Sequence, residues 1–397
     1  MQRIFSLQGT LMQYDWGGHH FLPAFLGKET EGIQPYAEYW LGAHPRSSSK
    51  ILTHEGSVLL RDAIQKNPHP FLGEGVEKKF ASLPYLLKIL DVANILSIQV
   101  HPTLTEAAVG FDREEKAGIP LDAPHRNYKD RNHKPEMLVA LSDFWLLHGF
   151  KSPEQIIRQL EDVPEFNMLK PLYLKEGLAA IYQFVMEMSD EDAQHWLSNL
   201  VKREIRKKKE NQLTKQEPGW WVAKLFSTDT DPVHIDKALF SIYIMNIVHL
   251  SPMESLFQGA GQPHAYMEGQ CVELMSNSDN VLRAGLTPKH IDVPELIRLT
   301  RFETTIPQIK TGVVTDAGEQ IYSAPVDDFS LGYIALDADK IYRHSSSSPE
   351  ILIITDGTVC VNGEKWYARG EALYILPETT YEMTATGPSA LFRAFVP

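Results

Sequence analysis

The chain falls into three textures of hydrophobic and polar positions. Over residues 1–150, short apolar runs alternate with clusters of Gly, Pro, Asn and Asp. The runs at 83–90 and 136–141 predict strands, and Val58 to Ile64 predicts a helix. From Ser152 the period lengthens. Ser152 followed by Pro153 predicts a helix start, and Ile156, Ile157 and Leu160 recur at helical spacing. The same spacing returns over 178–187, 190–206 and 235–247, which predicts a helical segment of about 90 residues inside a β-rich chain. Strand texture resumes over 248–275, and a short helix is predicted from Asp292. The last 70 or so residues carry short strands with Gly-rich turns, the pattern of a small β-barrel or jelly roll.

Some polar residues interrupt this pattern where a fold alone does not need them. The apolar residues at 95, 96, 98 and 100 predict a strand. Alternation then puts Leu96, Ile98 and Val100 on one face and Ser97, Gln99 and His101 on the other. Gln99 and His101 thus form a ready pair of metal ligands. Glu136 enters an apolar strand directly after the polar run 127–135. It requires a metal or an ion pair with Lys134 or Arg131. His264 shares a face with Tyr266, and the spacing alone equally fits a satisfied core histidine. His44, His148 and His249 are read as structural.

Together, Gln99, His101, Glu136 and His264 make a set of two nitrogens and two oxygens. Such a set suits Zn²⁺, with Mn²⁺, Fe²⁺ and Co²⁺ as alternatives. Only Glu136 is anionic, so a divalent ion would keep about one unit of positive charge. Downstream, Arg283 and Lys289 stand among Ser, Asn and Thr donors, a candidate anion clamp.

Charge narrows the possible partners. The 397 residues carry a net charge of −13, which argues against nucleic-acid binding. An anionic substrate must therefore meet a local basic cluster. The basic run 202–210 is read as the solvated end of a helix, and Trp220–Trp221 as a packing anchor. Two cysteines, Cys271 and Cys360, make no disulfide framework. With neither a signal-peptide pattern nor a membrane-spanning run, the expectation is a cytoplasmic protein.

Residues 128–136, YKDRNHKPE, resemble the YxDxNHKPE signature of type I mannose-6-phosphate isomerases. The segment from His264 through Glu273 to Lys289 is similar to that family's second signature, and 14–17 and 38–45 are similar to its N-terminal landmarks. Arg131 stands where bacterial members usually have Pro, and Ser276 where Ala is common.

The resemblance implies a mainly β protein with two cupin-like barrels and an inserted all-helical domain. Residues 1–150 with 248–320 would form the metal-binding catalytic domain, 151–247 the helical insertion, and 321–397 the second barrel. The segments 356–359 and 370–377 resemble the halves of a cupin motif without its histidines. The resemblance carries one zinc ion onto Gln99, His101, Glu136 and His264. It carries active-site roles onto Trp16, Ser97, Lys134, Tyr266, Glu273, Asp279, Arg283 and Lys289.

The implied reaction interconverts mannose 6-phosphate and fructose 6-phosphate through an enediolate. The metal and Arg283 would stabilise that anion, and Ser97 and Lys289 would meet the phosphate, with Trp16 and Tyr266 also at the substrate. Glu273, Lys134 and His133 are the candidate bases, and Asp279 completes the catalytic set. The expected partner is a small sugar phosphate, with no membrane, and a monomer or weak homo-oligomer. A metal oxygenase, a sugar-binding protein with a structural metal, and an isomerase of another sugar phosphate are the competing readings.

Overall fold

One long strand, His264–Ser276, organises the first half of the computed structural model. The structure describes all residues except Met1, Thr30, Glu31, Glu55, 227–233 and Asp339. The start of this strand pairs with Phe144–Phe150, His264 opposite His148, and with Gln99. Its second part pairs with Tyr85–Val92 on one side and Glu136–Ala140 on the other. The change of partners falls at Gly269, whose φ of +124° disfavours a side chain. A Cβ there would also lie 2.5 Å from the Asp143 carbonyl oxygen. The strand thus crosses from one sheet wall to the other and carries His264 and Glu273 on its two parts.

The neighbouring strands extend the wall in the order Lys310–Thr311, Glu254–Gln258, Glu136–Ala140, His264–Ser276, Tyr85–Val92, Glu38–His44 and Thr10–Met12. Tyr85–Val92 is buried along its whole length, as its nearly continuous apolar sequence predicts. Phe144–Phe150 pairs with Met245–Leu250, and every described element between those two strands is helical.

A second sheet holds Ser330–Leu336, Ser389–Phe395, Glu350–Asp356 and Ala372–Ile375. Its hydrogen bonding crosses the boundary expected at 320. Ile4–Gln8 pairs with Ala372–Ile375, and the hairpin Lys50–Thr53 with Gly56–Leu59 continues that sheet. Phe5, Leu7 and Ile51 accordingly share one core with Ile351, Tyr374 and Phe392. The fold is mainly β with helices.

Several local expectations shift. The strand read over 95–101 shrinks to Gln99–Val100, because the backbone before it makes isolated bonds to separate segments rather than a continuous ladder. Leu96 N–H donates to the Tyr266 carbonyl, and Ile98 N–H to that of Gly285. The helix read from Val58 starts at Leu60, since Val58 and Leu59 pair in the hairpin. The helix read over 235–247 is confined to Leu239–Ile244, because Met245–Leu250 is drawn into the sheet.

The basic run ends the helix Asp190–Lys209, which opens with Asp190, Glu191 and Asp192. Both charge sets oppose the helix dipole. Trp221 is fully buried, as a packing anchor should be. No described helix is long and apolar enough to cross a membrane.

Candidate metal centre and substrate cleft

His264 and Glu136 each begin a strand, and His101 directly follows Gln99–Val100. The ladder sets Gln99 opposite His264, and Gln258 opposite Glu136. These pairings bring three sequence-distant side chains together. His101, Glu136 and His264 are all buried, with one ligand atom from each within 4.8 Å of the others.

The ring orientations are fixed from behind. His101 Nδ1 donates to the Asn280 carbonyl at 2.9 Å, and His264 Nδ1 to the Gln262 carbonyl at 2.9 Å. A neutral imidazole that donates through Nδ1 keeps its lone pair on Nε2. Those bare nitrogens face one carboxylate, His101 at 3.4 Å and His264 at 3.2 Å from Glu136. His101 Nε2 is buried with no hydrogen-bond partner. Burial pushes the His101 imidazole down to about 4, and Lys134 adds to the same effect. Burial works to raise the Glu136 carboxyl, but Lys134 and His101 hold it well below the usual carboxylate range.

With Nδ1 donating on each ring, two nitrogen lone pairs and a carboxylate converge, an arrangement a divalent cation completes. Lys134 also reaches Glu136, at 3.0 Å, so the ion-pair reading holds alongside the metal reading. Arg131 plays no part in it, because its guanidinium pairs with Asp112 at 2.5 Å.

The cluster adjoins a cleft of about 570 Å³. Of the expected site residues, Gln99, Lys134, Trp16, Ser97, Asp279, Arg283 and Lys289 line it. Arg283 lies opposite Gln99 in the ladder and so beside the metal cluster.

Outside the metal set, three expected participants do not line the cleft. Glu273 lies behind Lys88, accepting from its Nζ at 2.9 Å and from the Tyr266 hydroxyl at 2.8 Å. Burial raises the Glu273 carboxyl, with Lys88 pulling the other way. Burial and Glu273 push the Tyr266 hydroxyl well up, so it stays a donor. His133, a candidate base on sequence grounds, turns its ring to the opposite side of the loop. There Nε2 meets Asp328 at 2.9 Å and borders a separate cavity. A side chain that points away from the reacting atoms cannot move their protons.

Sequence reasoning missed other groups in the cleft. Lys88 lies between Glu273 and Glu38, 3.9 Å from the latter, with its Nζ 5.2 Å over the Trp40 ring. Burial opposes its charge, but Glu273 and Glu38 outweigh that and hold its ammonium above the usual lysine range. A lone lysine flanked by Leu86, Leu87, Ile89 and Leu90 is a legible signal, since a lysine rarely enters a buried strand without a role.

His44, read as structural, also lines the cleft, 3.8 Å from Asp279. Its Nδ1 accepts from the Arg46 backbone, and burial pushes the imidazole down to about 4. Arg46 adds a further cation. Among the described residues, the side chains of Arg46, Arg283 and Lys289 form no ion pair.

Comparison with known proteins gives this arrangement a family. The profile described as phosphomannose isomerase type I, catalytic domain, matches residues 4–153. The mannose-6-phosphate isomerase of Salmonella typhimurium strain LT2 is 38% identical over 384 residues, covering 95% of this chain and 92% of that protein. The mannose-6-phosphate isomerase of Escherichia coli K12 is 38% identical over 363 residues, covering 90% and 89%. A crystal structure of the Salmonella typhimurium enzyme bound to substrate and a zinc atom superposes with a TM-score of 0.87, at 35% identity and over 100% of both chains. The chain belongs to the type I mannose-6-phosphate isomerase family.

Proposed function

We propose that the protein interconverts mannose 6-phosphate and fructose 6-phosphate, using one zinc ion held by Gln99, His101, Glu136 and His264. The observation that carries this is the convergence of two bare imidazole nitrogens on Glu136, beside a cleft with three unpaired cations. When bound, the zinc supplies a Lewis acid for the sugar oxygens at C1 and C2.

The chain's own residues do the rest. Lys289, Arg46 and Ser97 hold the phosphate dianion and fix the register of the sugar. Arg283, beside Gln99, faces the oxygens that gain charge as the enediolate forms. Lys88 adds a fixed positive charge braced by Glu273 and Glu38, so Glu273 acts through Lys88. Of the three candidate bases, Lys134 alone lines the cleft, and the transfer of the proton between C2 and C1 is assigned to it. Asp279 and His44 stand where a hydroxyl proton must move when the ring opens.

The fold is read as two cupin-like barrels with 151–247 inserted as a helical domain. The pairing of Phe144–Phe150 with Met245–Leu250 around that insertion supports the reading.

The test supplies mannose 6-phosphate to the purified protein and follows fructose 6-phosphate by a coupled assay. Turnover with exchange of the C2 hydrogen into solvent is expected. Tight binding without turnover would contradict the proposal and favour a sugar-binding protein.

A further inference from the structure

The loop from Asp130 to Lys134 and the loop after Ser276 carry cleft residues on facing sides. Lys134 comes from the first, and Asp279 and Arg283 from the second. They are sewn together where they meet. Asp130 accepts from the Ser278 hydroxyl at 2.9 Å and from the Asp279 N–H at 2.8 Å. Asn280 donates to the Asn132 carbonyl at 2.8 Å, and Asn132 to the Asn277 carbonyl at 3.1 Å. All of these ties lie within the two loops.

A tie to both loops comes from elsewhere. Asp328 is buried two residues before the strand Ser330–Leu336, which belongs to the second sheet. Its Oδ1 accepts from the Ser276 hydroxyl at 2.7 Å and meets His133 Nε2 at 2.9 Å. A single carboxylate oxygen therefore holds the end of the His264–Ser276 strand and the residue directly before Lys134. Ser276 N–H also donates to the Pro135 carbonyl at 3.1 Å, so Asp328 grips both sides of a junction already in contact. The neighbouring Lys79–Asp327 pair, at 2.7 Å, is exposed and adds little.

We propose that Asp328 is a positioning residue for the isomerase reaction. It locks the Lys134 side and the Asp279 side of the cleft in register through His133 and Ser276, and so makes the second sheet a working part of the active site. The carboxylate supplies an acceptor to the buried Ser276 hydroxyl and to the His133 ring that an apolar residue would not. His133, Ser276 and Asp328 place donors and acceptor at full hydrogen-bonding distance, with Ser276 fully buried. Displacement of a reacting group by about 1 Å costs on the order of a hundredfold in rate, so a lock of this kind acts on kcat.

This inference rests on the proposed mannose 6-phosphate reaction, and the wild-type protein separates the two. If wild type fails to turn over mannose 6-phosphate, that reading falls whatever Asp328 does. With wild type active, Asp328→Ala and Asp328→Asn are compared, and His133→Ala removes one arm of the lock should Asp328→Ala not fold. Activity is expressed per folded, metal-loaded molecule, well below the melting temperature.

Asp328→Ala is expected to lower kcat by on the order of tenfold to a hundredfold, with KM within about twofold of wild type. Asp328→Asn keeps an acceptor oxygen and is expected to stay within about threefold of wild-type kcat. His133→Ala is expected to fall between them. The proposal is overturned if Asp328→Ala or His133→Ala keeps wild-type kcat per folded, metal-loaded molecule while only the melting temperature drops. It is also overturned if Asp328→Asn loses as much kcat as Asp328→Ala.

Discussion

Two of the buried polar clusters inside this β structure are built on opposite logic. In the first, His101, Glu136 and His264 converge with two nitrogen lone pairs facing one carboxylate. In the second, Arg393 lies between two carboxylates, bonded to Glu319 at 2.8 and 3.0 Å and to Glu350 at 2.7 Å. Tyr342 donates to Glu319 at 2.9 Å, and Tyr381 to Glu350 at 2.8 Å. The second cluster carries its own cation and gives each carboxylate oxygen a donor. The first leaves His101 Nε2 without a partner. A buried acidic or imidazole cluster is therefore a metal candidate when its lone pairs outnumber its donors, and a structural network when a guanidinium already fills it.

The comparison breaks most sharply at His264. His264→Ala is expected to lose the metal and at least roughly a thousandfold in turnover, an order of magnitude typical of a lost catalytic metal. Far-UV circular dichroism should stay near native. Activity surviving in metal-free protein would remove the distinction between the clusters.

Arg393→Met is the converse case. It strands two buried carboxylates and is expected to cost roughly 3–5 kcal/mol in stability. Turnover per folded molecule should hardly change, which urea unfolding alongside the assay would check. A loss of turnover at full stability would mean that the second cluster has a catalytic part.

A smaller effect concerns pH. His101 and His148 are both buried, and burial pushes each imidazole down to about 4. The unfolded chain binds their protons near 6.5, the ordinary histidine value, so the folded state is fully stabilised above it. That stabilisation drains as pH falls from 6.5 to about 4. Melting of metal-free protein across this window is expected to show the loss, and zinc-loaded protein should resist it at the upper end. A melting temperature independent of pH over that range would contradict the account.

Much of the candidate metal cluster is legible in the sequence. Gln99 and His101 stood on the polar face of an apolar segment, and Glu136 opened a strand where a carboxylate is out of place. What placed them together was pairing between distant strands, which spacing along the chain does not encode. Glu273 shows the limit. Its strand and face could be read, but its position behind Lys88 depends on cross-strand register. His133 shows another, because the irregular stretch 132–135 sends its ring toward Asp328 while Lys134 enters the cleft. The sharing of the second sheet by Ile4–Gln8 is a long-range pairing with no local signal.

The central claim is that the His101, Glu136 and His264 cluster needs a divalent cation for isomerisation. The most direct measurement strips the protein with a chelator and reads metal content and mannose 6-phosphate turnover on the same sample, before and after zinc is returned. Turnover should vanish with the metal and return as one zinc per chain is restored. Full turnover in protein that holds no metal would contradict the account.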